Sequence, residues 1–357
     1  MAEPGVVVVG AGVIGCLIAR ELAVRVPEPE SLRVTVLDRD AAGAGASRRS
    51  AGLHLPRGSS ERTRRMSAYS HAYYADLKHR QPGLPIYPVG AIVVDGGELI
   101  TRYLPQAAPV PVIDGLPSDV ALPAGARAWR IGGGHYCDVY RFTQALALRL
   151  RPAVTFLEGV AVTDLLPDSD GVAVRCGTGA RLTASSVILA PGPWLAAPAW
   201  RDLVAPLGLR VKRVVALHIE RRPDPADGAV LFDNDDAFLL PLAHRGHWLF
   251  SFSCREWDVD PDGAATGLTA AHLDAARDCL RRYSPALADA CRGGQVFCDA
   301  YSPDGEPVIR PLDPGGRIIF AGAASGSGYR LGPAIAAEAV ASLAHRNEGV
   351  AGDPQHV

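Results

Sequence analysis

The chain has 357 residues, enough for one large domain or two modest ones with a full core. Hydrophobic residues at 48% and charged residues at 21% exclude a disordered chain, and a formal charge of −2 gives no electrostatic basis for holding nucleic acid or an anionic membrane. The seven cysteines are scattered with no Cys-x-x-Cys pair, which argues against a zinc site or a disulfide scaffold, so no metal is expected and the thiols should be reduced and buried. No signal-type segment precedes the first strand and no apolar run reaches bilayer length. The expectation is a cytoplasmic protein with neither nucleic acid nor membrane as partner.

Residues 5–23 read GVVVVGAGVIGCLIARELA. The β-branched run 6–9 suits a strand buried on both faces. Gly10, Gly12 and Gly15 follow in G-x-G-x-x-G spacing, and Ile14, Leu17, Ile18 and Leu22 then recur at helical intervals. Gly10 permits a tight turn, Gly12 lets backbone amides approach a pyrophosphate, and Gly15 lets the helix lie close to the sheet. A second strand at 33–37 runs into Asp38, 23 residues beyond Gly15, where a carboxylate can accept hydrogen bonds from a ribose diol. Together these pieces define a dinucleotide-binding unit, without choosing between FAD and NAD.

Residues 138–150 read as a helix and 154–157 as a strand. The stretch 159–195 reads as three strands, with turns at 168–171 and 177–179. The third strand, 186–190, runs into Pro191-Gly192-Pro193-Trp194. Strand-rich stretches of a different character occupy 83–135 and 207–298, the latter with a helical patch at 270–282. Residues 317–321 form a buried-type strand, followed by Gly322, Gly326, Gly328 and Gly332, and Pro333 opens an alanine-rich helix. A glycine-rich loop feeding a helix amino terminus offers amides and positive potential to an anion.

These pieces resemble the D-amino-acid oxidase superfamily of FAD-dependent oxidoreductases, the group of glycine oxidase and sarcosine oxidase. The loop 43–52, GAGASRRSAG, is similar to the family segment that wraps the FAD pyrophosphate and approaches the isoalloxazine. The strand ending at Trp194 is similar to the family's A-x-G-x-W strand beneath the cofactor. Residues 301–343 match the pattern T-P-D-G-x-P-x-I followed by G-x-x-G-x-G-[FY]-[KR]-x-x-P, at Asp304, Gly305, Pro307, Ile309, Gly328, Tyr329, Arg330 and Pro333, with Ser302 in place of the threonine. The resemblance implies an α/β fold (α+β overall). A Rossmann-like FAD-binding domain, at 1–82, 136–206 and 299–357, is interleaved with a substrate-binding domain at 83–135 and 207–298. The latter is built on a mixed, largely antiparallel sheet. FAD contacts are implied for Gly10, Gly12, Gly15, Asp38, Arg39, Ala46, Ser47, Gly52, Val162 (through its backbone), Gly192, Trp194, Gly326, Gly328, Arg330 and Leu331.

On the substrate side, Arg330 occupies the position where the family grips a carboxylate. A guanidinium does this through two parallel hydrogen bonds, which also fix the direction of the Cα–H bond. Tyr329 beside it, and His54 and Arg57 in SAGLHLPRG, complete the candidates; Arg48, Arg49, Arg62, Arg64 and Arg65 make that region basic and read as a solvated face. Some sarcosine oxidases hold FAD covalently through a cysteine at the position of Phe297. Cys298 is one residue later, and a one-residue slip on a strand turns a side chain to the other face, so non-covalent FAD is expected. No lysine stands at 252–254, where some of these oxidases use one to activate oxygen, and Lys78 and Lys212 are far away in sequence.

The reading is oxidation of the C–N bond of a small amine or amino acid bearing a carboxylate, by hydride transfer to flavin N5, with O2 or another acceptor taking the electrons. Two alternatives stay open. One is oxidation of a 2-hydroxy acid with His54 as base; the other is a non-catalytic flavin-binding subunit of an oxidase complex. A flavin monooxygenase fits poorly, because its aspartate-glycine signature before the last helix has a different spacing.

Overall fold

The computed structural model describes residues 5–25, 33–95, 101–112, 116–117, 119–263 and 267–350. It divides into two compact units. One comprises Met1–Arg48, Val139–Arg210 and Asp299–Val357; the other comprises Arg49–Asp138 and Val211–Cys298.

The first unit is built on a six-stranded sheet in the order Val308–Pro311, Ile318–Gly322, Ser186–Leu189, Val6–Val9, Val34–Asp38, Val154–Glu158. Neighbours run parallel except the outer pair Val308–Pro311 and Ile318–Gly322. Every residue of Val6–Val9 is buried, as a central strand covered on both faces requires. The helix Val13–Arg25 buries Cys16, Leu17, Ile18 and Leu22 and packs beside the helices Val139–Leu150 and Gly328–Val350.

Two details differ from the sequence reading. The stretch 159–195 forms four strands: Val162–Pro167, Val172–Cys176 and Arg181–Ala184 make an antiparallel sheet of their own, and Ser186–Leu189 joins the large parallel sheet. The switch occurs at Ser185, whose amide and hydroxyl both donate to the Gly5 carbonyl, at 2.9 and 3.2 Å. The carboxyl-terminal helix begins at Gly328, ahead of Pro333, because Leu331 N already donates to Ser327 O at 2.9 Å. Pro333 therefore lies inside the helix, where it forgoes one helical donor.

The second unit carries an eight-stranded mixed sheet ordered Cys291–Tyr301, Arg210–Ile219, His247–Phe252, Ala237–Leu242, Ala229–Phe232, Ala91–Asp95, Arg127–Ile131, Val110–Pro111. Ala229–Phe232 and Ala91–Asp95 run parallel, while the pairs around them are antiparallel. This is the mixed, largely antiparallel sheet that was expected. Side chains alternate between faces, which makes two cores. One joins Leu217, Phe232 and Phe250 to Ala276, Leu280 and Leu287 of the helices Ala270–Arg281 and Pro285–Asp289; the other gathers Leu55, Val93, Tyr136, Ala216 and Leu240.

The expected first boundary at 82 differs from the structure's, at Arg48. Residues beyond it pack into the second unit: Leu55 enters its core, His54 bridges to His135, and Cys137 N donates to Gly52 O at 3.1 Å. The helix Glu61–Arg80, which the sequence reading did not anticipate, starts at a capping box between Ser60 and Thr63 and buries Met66, Tyr74 and Leu77. The remaining boundaries shift by a few residues, to Val139 and Arg210. No described helix is long and apolar enough to cross a membrane. The seven cysteines are buried and unbridged.

Candidate cofactor cradle and substrate-side residues

Three glycines shape the turn between Val6–Val9 and Val13–Arg25, and their roles differ. A Cβ at Gly10, whose φ is +105°, would lie 2.2 Å from Ala190 O, and one at Gly15 would lie 1.8 Å from Gly10 O. Those two are fixed by packing. A Cβ at Gly12 would meet only Ser47 Oγ, at 3.4 Å. Gly12 is thus small without being crowded by the fold, which is what a close-approaching ligand needs. Ser47, in the short 3-10 turn Ala46–Arg49, accepts a hydrogen bond from Val13 N at 2.9 Å and so caps the helix.

Asp38 ends its strand with Oδ2 accepting from Ala11 N at 2.6 Å and Oδ1 accepting from Asp40 N at 2.8 Å. Burial outweighs these bonds and raises the carboxyl above its ordinary value. The adjacent strand brings in Glu158, absent from the sequence reading, which accepts from Ala42 N at 2.7 Å and is held below the ordinary range chiefly by that bond. Its signal was the strand itself: Asp38 and Glu158 stand in register.

Trp194 lies where the strand Ser186–Leu189 delivers the chain. The guanidinium of Arg39 lies 4.5 Å from the centre of its ring, and a Cβ at Gly45 would come 3.0 Å from the indole. Gly192 has φ +58° and fits the turn before it. Val162 begins its strand, half-buried, next to Ala161, whose carbonyl accepts from Gly177 N at 2.8 Å.

The loop between Ile318–Gly322 and Gly328–Val350 is locally strained: Ala323 and Ser325, neither a glycine, have φ of 52° and 49°, and Gly326 has 76°. Ser327 receives a hydrogen bond from Arg330 Nη2 at 2.8 Å, which holds the guanidinium near the loop. Gly328 faces Ile14 of the first helix. Tyr329, a substrate-side candidate, is 4% exposed and meets the Phe142 ring edge-on at 5.9 Å, so its ring serves packing. Leu331 is likewise buried, leaving its backbone for any ligand contact. Asp299 and Tyr301 also approach this loop, a pair that sequence motifs did not single out.

The second unit holds the other candidates. His54 has no exposed surface; its ring stacks on His135 at 4.5 Å and on His71 at 5.6 Å, with Tyr74 edge-on at 5.8 Å. Burial drives His135 down to about 3, so the stack contains a neutral imidazole. Arg57 Nη1 lies 3.4 Å from Asp233 Oδ1, with about a third of its side chain exposed. Lys212, remote in sequence from 252–254, donates through Nζ to Ser253 Oγ, with Asp236 at 3.6 Å and the Trp257 ring at 5.2 Å. An isolated antiparallel bridge between Lys212 and Trp257 accompanies that approach, and sequence distance concealed it. Phe297 and Cys298 are both buried on the strand Cys291–Tyr301.

A parallel sheet with a glycine turn, a terminal acid on the second strand and a glycine loop before the last helix describes a dinucleotide-binding oxidoreductase unit. Residues 5–343 match the family of FAD dependent oxidoreductases, and the chain belongs to that family. It is therefore an FAD-dependent enzyme, and the open Gly12 cradle and the Asp38 carboxylate fit that cofactor. Among solved structures, the chain is similar to glycine oxidase from Geobacillus kaustophilus at 21% identity and TM-score 0.78, covering 97% of this chain and 95% of that one. It is similar to L-proline dehydrogenase from P. horikoshii at 16% identity and TM-score 0.79, covering 96% and 94%. It is also similar to iminodiacetate oxidase from Chelativorans sp. BNC1 at 19% identity and TM-score 0.73, covering 99% and 96%. A search of curated proteins gave no match.

Proposed function

We propose that this protein oxidises the C–N bond of a small amine or amino acid, giving an imine that water hydrolyses to a carbonyl compound and a free amine. The observation that carries the reading is Arg330, held by Ser327 in the first turn of the last helix, directly after the glycine loop. FAD, when bound, supplies a two-electron acceptor for the hydride. In this reading the unit containing Val6–Val9 is the FAD-binding domain and the other unit the substrate-binding domain. Gly10, Gly12 and Gly15 shape the pyrophosphate cradle and Asp38 meets the ribose. Arg39, Ala46, Ser47, Gly52, Val162, Gly192 and Trp194 line the cofactor, and Gly326, Gly328, Arg330 and Leu331 face its ring end. Arg330 grips the substrate carboxylate in two parallel hydrogen bonds and fixes the bond to be broken. Arg57, in the other unit, is a further candidate for holding an anion, in competition with Asp233. FAD is held without a covalent bond.

The 2-hydroxy-acid alternative needs a base that reaches a hydroxyl, and its candidate His54 has no exposed surface. O2 is the proposed acceptor. No lysine stands at 252–254, but Lys212 brings its ammonium to Ser253 in that segment. The test is an anaerobic screen of the yellow holoenzyme against paired amino acids and 2-hydroxy acids of the same carbon skeleton. Bleaching by amino compounds and not by their hydroxy partners supports the reading; the reverse pattern overturns it.

A further inference from the structure

Asp299 lies outside every role assigned above. It stands two residues before Tyr301 on the strand Cys291–Tyr301, so the two side chains share one face. A Cβ added at Gly326 would lie 3.7 Å from Asp299 Oδ2 and 3.6 Å from the Tyr301 hydroxyl. Both polar groups therefore converge on the space that Gly326 leaves open. The backbone fixes this approach: Ser325 N donates to Ala300 O at 3.1 Å, and Tyr301 bridges to Ala324. Among the described residues, no hydrogen-bond donor or cation partners the Asp299 carboxylate. Burial, with nothing to offset it, lifts this acid from 3.8 to about 6. The side chain is half-buried beside an exposed Gly326, so its oxygens can be reached from outside, and what the carboxylate lacks is a donor carrying positive charge.

We propose that Asp299, with the Tyr301 hydroxyl beside it, receives the protonated nitrogen of the substrate and takes its proton. The inference rests on the amine-oxidation reading. One N–H bond of the ammonium breaks and one O–H bond forms on Asp299, leaving a neutral amine and a neutral carboxyl. Burial favours the exchange, because it penalises the charged form of both partners. The neutral amine is the form whose neighbouring carbon can release hydride. Arg330 lies in the first turn of the helix that follows the same loop. A zwitterionic substrate would thus find an acid for its ammonium and a guanidinium for its carboxylate. Its ionisable neighbours along the strand are Cys298 and Tyr301, and Asp304 is turned to the Ser302 hydroxyl and the Glu306 amide.

The experiment is anaerobic stopped-flow bleaching of the FAD holoenzyme and its Asp299→Asn and Asp299→Glu variants, using the amino and N-methylamino acids that bleach the parent. At pH 7 the asparagine variant should bleach about 100-fold more slowly, with a half-saturating concentration about tenfold higher. Both losses should shrink toward about pH 10, where the amine is already neutral in solution. The glutamate variant should fall between, and FAD content should be unchanged. In the parent, rate over half-saturation should decline as pH drops through about 6, where Asp299 protonates. Parent-like bleaching by the asparagine variant at pH 7, a deficit equal at both pH values, loss of FAD, or a parent profile flat between about pH 5 and 7 would overturn the assignment. If no amine bleaches the parent, the amine-oxidation reading itself fails. If amines bleach parent and asparagine variant alike, only the role of Asp299 fails.

Discussion

Asp38 Oδ2 accepts the Ala11 amide at 2.6 Å, tying the end of the second strand to the glycine turn that follows the first. Its second oxygen takes the Asp40 amide, so one side chain orders both sides of the proposed ribose position. Hydrogen bonds to charged groups contribute roughly 1.5–3 kcal/mol. Asp38→Ala should therefore weaken FAD binding by about 10- to 100-fold while the sheet stays folded. Fluorescence titration of the stripped protein with FAD measures this, and an unchanged affinity would remove Asp38 from the site.

The glycines of the turn separate folding from binding. Gly15→Ala places a Cβ 1.8 Å from Gly10 O and should abolish soluble, folded protein or cost several kcal/mol, about the upper range for a single substitution. Gly12→Ala meets Ser47 Oγ at an ordinary 3.4 Å and should leave the thermal unfolding of FAD-free protein within a few degrees of the parent's. It should nonetheless lose most FAD, because the methyl group fills the cradle. Equal effects in the two variants would contradict this division of labour.

Acid precipitation should release all flavin into the supernatant. The cysteine nearest the covalent position of related enzymes is Cys298, buried and unbridged, and Phe297 stands in that position. Yellow colour retained on the denatured chain would contradict non-covalent binding.

Much of the first unit was legible because its chemistry is local. The run Val6–Val9, the glycine triplet and Asp38 lie in one short stretch, and each residue type has a distinct physical reason to be there. The helix Glu61–Arg80 was not legible. Its buried face includes Thr63, Ser67 and Ser70, so small polar residues stand where an apolar stripe would have shown a helical period. Pro333 misled the start of the last helix, since proline is favoured at a first helical position and here sits inside. Lys212 beside Ser253, and Asp299 beside Gly326, arise from strand pairing and loop return between residues far apart in sequence.

Stability should carry the mark of Asp299. Its carboxyl is raised from 3.8 to about 6, so between those values the folded chain holds a proton that the unfolded chain has lost. Stability then falls as pH rises from about 4 to about 6 and stays lower above, by an amount on the order of 1–3 kcal/mol. Asp299→Asn removes this dependence. The variant holoenzyme should unfold at a higher temperature than the parent at pH 8, and the gap should close near pH 4. A gap of the same size at both pH values would contradict a carboxyl whose proton is held more tightly in the folded chain.

Arg330→Met keeps much of the side chain's length and removes its charge and fork. Loss of a buried charge partner costs about 2–5 kcal/mol, expected here as weaker binding of carboxylate-bearing amines and slower flavin bleaching at unchanged FAD content. Lysine at this position should recover part of the loss, since it restores charge without the bidentate geometry. An unchanged bleaching rate would take Arg330 out of the substrate site.

The central claim, that a C–N bond is what this enzyme oxidises, is tested most directly by product stoichiometry in a single anaerobic turnover. FAD holoenzyme is mixed with an amine or amino acid that bleaches it, and the flavin reduced, the carbonyl compound formed and the amine or ammonia released are each counted. The account predicts one carbonyl and one released nitrogen for each flavin bleached. Flavin bleached by a 2-hydroxy acid with no nitrogen released, or by an amine that is recovered unaltered, would contradict it.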